Sequence, residues 1–507
     1  MNPPKFPSGG LAAIAAAATA LVILLGGLAR QHLGSEPRFP LEQANVGYSL
    51  AAGLGYSNPF GVRSGPTAWV PPAFPLLYAG AIETSKATGF TEGGVIAAVN
   101  MAAAAAAVWL VLAFCTEGFG FAGVAVFCAA FAAYGILDSD FLVSTGAVTA
   151  AETALFIAGM SRASRIPAGA AGLGMVFAAG ALLAATHPGL ALGAVVVAAG
   201  WACGAGPAGG TRVRAALPAA ALAAGILAAT LPWMLRNHRV FGEWIPSKSN
   251  GYFELVLSQD ETRDGVLTAE AIVAGHPSTN PRLLASYVGL GERRFLDPYR
   301  TEARRIMEEE PGSYVLFCLD RLFNALCLCA SPSNIEVMHV HVAAPDAARL
   351  VGRRLALVCS GVPELIWPRQ AWGEKTEHSL LVGAGVSGVD SLERDWARAQ
   401  SDIESQTQGR ASVLAGLAWS GLPTCLLLAA VLLALRSPPR LVLVSAVLYL
   451  VALAPNVLIT HDERHQANFS LLFSVFSMGA WEALRRRRPA VTTQAPGGTA
   501  AQSHRRS

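Results

Sequence analysis

Charge is what this sequence has least of. Only 14% of its 507 residues are Asp, Glu, Lys or Arg, against about 25% in an ordinary soluble domain. With 53% hydrophobic residues and a mean hydropathy of +0.43, that deficit excludes a typical soluble chain and predicts a polytopic membrane protein. An excess of one sign is missing too. The formal net charge is +3, too small to imply nucleic acid as a partner. Zinc-ligand spacing is absent among the eight cysteines, so no disulfide and no cysteine-held metal is expected. Seven of the eight (Cys115, Cys128, Cys203, Cys318, Cys327, Cys329 and Cys425) fall in apolar segments, where cysteine acts as a small hydrophobe. Only Cys359 lies in a polar region. No internal repeat is visible.

What is there is a series of long apolar runs at 11–29, 94–114, 119–137, 141–160, 168–186, 188–206, 216–234, 411–435, 440–458 and 466–484. Each is close to the ~20 residues that cross a bilayer. They are rich in Ala and Gly, which allows close helix packing. The first run, Leu11 to Ala29, exceeds a usual signal-peptide core and reads as a signal anchor. With the N-terminus in the cytoplasm, four basic clusters fall on the cytoplasmic side. These are Arg162 with Arg165, Arg212 with Arg214, Arg436 with Arg440, and the Arg485 to Arg488 run. The same rule places 30–93 and 235–410 outside. The expected fold class is therefore all-α, polytopic, with about 10–12 transmembrane helices, an extracytoplasmic first loop and a large extracytoplasmic insert. Residues 70–84 and 313–331 are too short or too polar for plain spans and read as interfacial. The expected organisation is a transmembrane module over 1–234, an extracytoplasmic region over 235–410, C-terminal spans over 411–484 and a disordered, basic cytoplasmic tail over 485–507. No fold is assigned to 332–410. The expected location is the inner (plasma) membrane, multi-pass, with both termini cytoplasmic.

The polar residues gather in the loops. The stretch from Arg38 to Pro75 carries Glu42 at the start of an amphipathic helical pattern with Tyr48, Leu50 and Leu54. Gly53, Gly55, the run Tyr56 to Phe60 and three prolines (Pro71, Pro72, Pro75) follow. A carboxylate at the lip of a membrane cavity can take a proton from an acceptor hydroxyl, or hold a divalent cation beside a phosphate. It can equally stabilise the first turn of its helix. Glu152 lies within an apolar run beside Ser144, Thr145, Thr149 and Thr153. An ionisable group there is a functional site or a hydrogen-bonded acid that orients helices. Asp138 and Asp140 line the same cavity or a solvated loop. His187, in THPG, touches a phosphate or caps a turn. Arg236, His238, Arg239 and Lys248 form a basic cluster for a lipid phosphate, or for headgroup anchoring. The last loop packs His461, Asp462, Glu463, Arg464 and His465 together. Arg464 is the second phosphate candidate there, with His461 beside it, or the loop is a plain solvated connector.

Four blocks resemble bacterial membrane glycosyltransferases of the GT-C fold. The nearest group is family 39, "RgtA/B/C/D-like", kin to protein mannosyltransferases and the aminoarabinose transferase of lipid A. The blocks are SLAAGLGYSNPF with GPTAWVPPAFP, ETAL at 152–155, WMLRNHRVFGEWIPSKSNGYFEL at 233–255 with HPSTN and GE downstream, and the last outer loop. Departures are a single Glu where a paired Asp is commoner, and ERHQAN in the last loop. The resemblance implies a polyprenyl-phosphate-linked sugar donor, a hydroxyl acceptor of unknown identity (lipid, glycan or protein) on the outer face and usually inversion at the anomeric carbon. It implies Glu42 as catalytic base, and Arg464 with Arg236 or Arg239 at the leaving phosphate. A divalent metal ion is an open cofactor. The competing classes are a transporter or lipid flippase, and a non-catalytic scaffold.

Overall fold

In a computed structural model, the structure describes residues 9–32, 41–116, 119–137, 141, 144–163, 170–205, 212–260, 275–312, 314–315, 318–319, 321–322, 428, 439–459 and 468–487. Asp138, Asp140, His461, Arg464, the 332–410 region and the tail beyond Arg487 lie outside the described residues, as does the 411–435 run apart from Leu428.

Among the described residues the chain is helical, with no strand. The apolar runs become α1 (Gly9–His32), α4 (Glu92–Phe114), α5 (Phe121–Leu137), α6 (Gly146–Ala163), α7 (Ala170–Thr186), α8 (Pro188–Gly200) and α9 (Arg212–Phe241). The surface stretch between the first two forms α2 (Leu41–Ala51) and α3 (Ala73–Thr88). After α9 come α10 (Gly251–Asp260) and α11 (Pro281–Glu309), then α12 (Arg440–Ala452), α13 (Ala454–Leu458) and α14 (Ser470–Arg487). Among the described residues two helices, Glu92–Phe114 and Ala215–Phe241, are long and apolar enough to cross a membrane. Shorter apolar helices include Gly10–Gly26, Phe121–Ile136, Ala170–Thr186, Pro188–Cys203 and Arg440–Ala452.

Local chemistry sets the helix ends. Thr91 opens α4 by accepting the Gly94 N–H. His187 opens α8, its Nδ1 accepting the Leu190 N–H at 3.2 Å, with Pro188 in the first turn. That is the turn role weighed for this histidine. Gly89, left-handed, closes α3. The helices α4, α6, α7 and α9 pack in sequence, with α1, α5, α8, α12 and α14 completing a bundle around one apolar core. Close approach is written into α9: a Cβ on Gly225 would sit 2.0 Å from the Phe177 carbonyl of α7. Among the described residues, Cys115, Cys128, Cys203 and Cys318 form no disulfide.

A second core lies beside the bundle. Val46 of α2, Phe60, Trp69 and Val70 of the following loop, Phe253 of α10, and Tyr287 and Phe295 of α11 form it. The first loop thus folds against the chain after α9, and not against the bundle alone. The helix α2 starts one residue before Glu42. Leu54, expected on its apolar face, falls past the helix end and is exposed. The interfacial expectation for 70–84 falls on α3, which packs on α2 and α4.

Candidate functional site

The loop between α2 and α3 is short and turn-rich, so its backbone groups need partners from outside regular structure. They find them. Asn58, at φ +60°, accepts the Ser64 and Gly65 N–H groups at 2.9 and 3.1 Å. The Asn45 amide donates to the Pro59 carbonyl at 2.8 Å. The Tyr56 hydroxyl donates to the carbonyls of Val70 (2.8 Å) and Pro71 (3.0 Å). Burial pushes that phenol above its ordinary value, against a smaller opposing effect of Arg236, so Tyr56 stays a neutral donor.

Glu292 clamps this loop from α11. Its carboxylate is 3% exposed and accepts four hydrogen bonds. Oε1 takes the Ala68 N–H at 2.8 Å and the Ser249 hydroxyl at 2.7 Å. Oε2 takes the Tyr287 hydroxyl at 2.7 Å and the Thr67 hydroxyl. Burial raises its pKa above the ordinary 4.5, while the four donors pull the other way. The GE pair has a local reason. Gly291 sits at φ 74°, ψ 159°, non-helical in the middle of α11. That region of backbone space is essentially open only to glycine. The break turns Glu292 and Tyr287, from either side of it, onto the same loop.

Arg236, at the end of α9, holds the loop from the bundle side. Its Nη1 donates to the Thr67 carbonyl at 2.6 Å and its Nη2 to the Tyr56 carbonyl at 2.7 Å. The guanidinium also lies 5.3, 5.2 and 5.6 Å from the rings of Tyr56, Trp233 and Phe241. In this structure both terminal nitrogens are engaged by the loop rather than offered to a phosphate. Lys248 is likewise paired, 2.7 Å from each oxygen of Glu254. Arg239 is exposed, as is Arg63 on the loop itself. The exposed His238 stacks on Trp244, with ring centroids 4.3 Å apart.

Glu42 occupies the first turn of α2 at the edge of this assembly, its side chain 28% exposed. The Nε2 of His276 lies 3.6 Å from its Oε1. HPSTN explains the placement of that imidazole. Asn280 caps α11, accepting the Arg282 and Leu283 N–H groups, with Pro281 in the first turn. The Thr279 and Asn280 N–H groups donate back to the His276 carbonyl at 3.1 and 2.8 Å. The ring is then enclosed edge-on by Phe60, Trp69 and Phe253 at 5.5–5.8 Å between centroids.

Glu152 sits elsewhere, 3% exposed within α6. The Thr186 hydroxyl donates to its Oε2 at 2.5 Å, and Oε1 has no hydrogen-bond partner among the described residues. The structure brings Glu42, Tyr56, Arg236 and Lys248 into one region around the loop and leaves Glu152 in the bundle. His276 and Glu292 were not singled out as site residues from sequence, although HPSTN and GE were quoted. No group of three or more His, Cys, Asp or Glu residues suited to a metal is present among the described residues. Glu42 and His276 alone are two donors, short of a closed metal site.

Compared with known proteins, the chain matches no family model, no curated sequence and no solved structure.

Proposed function

We propose that this chain is a polytopic membrane glycosyltransferase of GT-C type, acting on a polyprenyl-phosphate-linked sugar at the outer face of the plasma membrane. The observation that carries this reading is Glu42. It is a part-exposed carboxylate on a helix start, 3.6 Å from an imidazole nitrogen, beside a loop fixed by Glu292 and Arg236. A base must be open to its substrate and near groups that can orient it; Glu42 is part-exposed and has His276 beside it. The reaction balances simply. The acceptor oxygen bonds to the anomeric carbon as the carbon–oxygen bond to phosphate breaks. Glu42 takes the hydroxyl proton, and the bonding pair leaves with the lipid phosphate. Arg239 and Arg63 are exposed cations of this region for that phosphate. The resemblance in GPTAWVPPAFP and the succession of apolar helices support the same reading.

The test is turnover of radiolabelled undecaprenyl-phosphate hexoses and pentoses in membranes carrying wild type or Glu42→Gln. Loss of a positioned base lowers the rate by about 10²- to 10⁴-fold. Equal turnover in a folded variant removes Glu42 from the chemistry. A second reading, a transporter or lipid flippase, draws on one observation, the buried Glu152 oxygen without a partner. It expects Glu152→Gln, and not Glu42→Gln, to abolish the cellular role.

A further inference from the structure

His276 has no part in the reaction as written above, yet its environment is closely determined. Its Nδ1 accepts the backbone N–H of Ser278 at 3.2 Å, and the Ser278 hydroxyl lies 2.6 Å from the same atom. A ring nitrogen that accepts a backbone N–H carries no proton. Those partners therefore assign the proton of the neutral ring to Nε2, the atom 3.6 Å from Glu42 Oε1. The imidazole side chain is 12% exposed. Three aromatic rings enclose it, and its backbone is fixed by the turn that starts α11. It cannot rotate its N–H away from the carboxylate without breaking the Ser278 contact.

Glu42, by contrast, has one anchor of this kind among the described residues. It sits on the part-exposed first turn of a helix, where a glutamate side chain otherwise samples several rotamers. At 3.6 Å the pair is beyond a hydrogen bond. A shift of under ~1 Å closes it, a common difference between a free site and one holding substrate.

We propose that His276 is the positioning residue of Glu42. Its Nε2–H selects the carboxylate rotamer that faces the acceptor and leaves the second oxygen free to take the proton. The imidazole is not itself a proton acceptor here, because its other nitrogen is held by Ser278. This rests on Glu42 being the base proposed above. It assigns the HPSTN turn to the mechanism rather than to folding alone.

Two substitutions separate the roles of this side chain. His276→Gln keeps an N–H donor at the same distance along the side chain and loses the ring. His276→Phe keeps the ring among Phe60, Trp69 and Phe253 and loses the donor. The first readout needs no substrate. Detergent-purified full-length protein is treated with a water-soluble carbodiimide and a nucleophilic amine at pH 7, and labelling of Glu42 is followed by peptide mass spectrometry. The expected result is labelling that rises several-fold in His276→Phe, where the carboxylate is released, and stays within about twofold of wild type in His276→Gln. The reverse order, with Gln perturbed and Phe like wild type, means that the ring is needed for packing only and overturns the proposal. Equal labelling in all three also overturns it. The second readout is kcat with the donor that supports turnover. His276→Phe should lose about 10- to 100-fold with KM little changed, and His276→Gln should lose only a few-fold. Should the labelling order hold while no donor supports turnover, the pairing of the two side chains stands and the transferase reading falls. Should turnover depend on Glu42 while labelling ignores His276, the transferase stands and this proposal falls.

Discussion

Replacing Glu292 tests whether the first loop is held from α11. In Glu292→Ala, four donors lose their acceptor at a site 3% exposed. They are not equivalent. The hydroxyls of Thr67, Ser249 and Tyr287 can rotate toward other acceptors, at about 1 kcal/mol each for a lost bond. The Ala68 N–H is fixed by the backbone, and leaving it buried and unpaired costs about 1–3 kcal/mol. Relief of the buried charge offsets part of this. The net loss is about 3–5 kcal/mol, the range seen when one member of a buried polar set is removed. Glu292→Gln behaves differently. Its amide nitrogen can face Thr67 and Tyr287, whose hydroxyls rotate to accept. Its carbonyl oxygen then keeps the Ala68 N–H and the Ser249 hydroxyl. That variant should lose only about 1 kcal/mol.

The assay is amide hydrogen exchange in detergent micelles. The useful probes are backbone N–H groups that Glu292 does not itself bind, one within the loop and one bonded to it from the segment after α9. These are Asn58, bonded to the Gly65 carbonyl at 3.0 Å, and Ser249, bonded to the Ala68 carbonyl at 2.9 Å. If the loop opens as a unit, Glu292→Ala speeds their exchange by roughly 10²- to 10⁴-fold, from about 1.4 kcal/mol per decade. Glu292→Gln speeds it by less than about tenfold. Unchanged exchange at Asn58 and Ser249 in Glu292→Ala would refute the clamp. Glu292→Gln as damaging as Ala would show that the negative charge, and not the acceptor pattern, holds the loop.

Three further outcomes follow from the same contacts. Because burial raises the Glu292 pKa above the ordinary 4.5, the folded loop binds more protons than the open one. Its stability is therefore fully present below that value and declines as pH rises through the folded pKa, and a pH series of Asn58 exchange should show that slope in wild type and not in Glu292→Gln. Gly225→Ala places a Cβ 2.0 Å from the Phe177 carbonyl, a clash with backbone that cannot move aside, so α7 and α9 should separate and the monodisperse fraction on gel filtration should fall sharply. Arg236→Lys keeps the charge but cannot bridge the Tyr56 and Thr67 carbonyls as a planar fork does, and the loss of about 2 kcal/mol should appear as faster exchange at Thr67, whose N–H bonds the Tyr56 carbonyl.

Helix positions were legible in the sequence because apolar runs carry their own signal. Nearly every described bundle helix falls on one of them, and α2 begins at Leu41, beside the carboxylate expected at its start. Partners were not legible. The basic cluster of Arg236 and Lys248 reads in sequence as charge near a membrane. What engages Arg236 is a pair of carbonyls 169 and 180 residues away, and charge patterning carries no information on such contacts. Lys248 is the instructive contrast. Its partner Glu254 is six residues on, close enough to have been weighed, but pairing across a turn has no fixed spacing as it does on a helix. Glu292 and His276 escaped for the same reason. Glu292 meets Ala68 across 224 residues, and a single Glu after a glycine inside a helical pattern looks like surface until the break at Gly291 is known.

The arrangement also bears on where the proposed transferase would hold its base. The first loop is held on one side by Arg236, at the end of the long apolar helix α9, and on the other by Glu292 of α11. Both grip the same residue, Thr67: Arg236 by its carbonyl and Glu292 by its hydroxyl. The two supports are themselves joined, since Glu243, just past α9, pairs with Arg300 at 2.9 Å and Arg293 at 3.0 Å on α11. Hydrogen bonds from Arg300 are the first cause that holds the Glu243 carboxyl below its ordinary value. A loop that only connected two helices would need none of this. Fixing a connector costs backbone entropy of about 1–2 kcal/mol per residue, and here buried polar groups from three separate parts of the chain offset that cost. Loops bearing chemistry are the ones a scaffold holds in this way. Glu42 is the ionisable group at the edge of that held surface with its carboxylate still part-exposed. On these grounds the transferase proposed above is placed on the first loop, rather than on the buried Glu152 of the bundle.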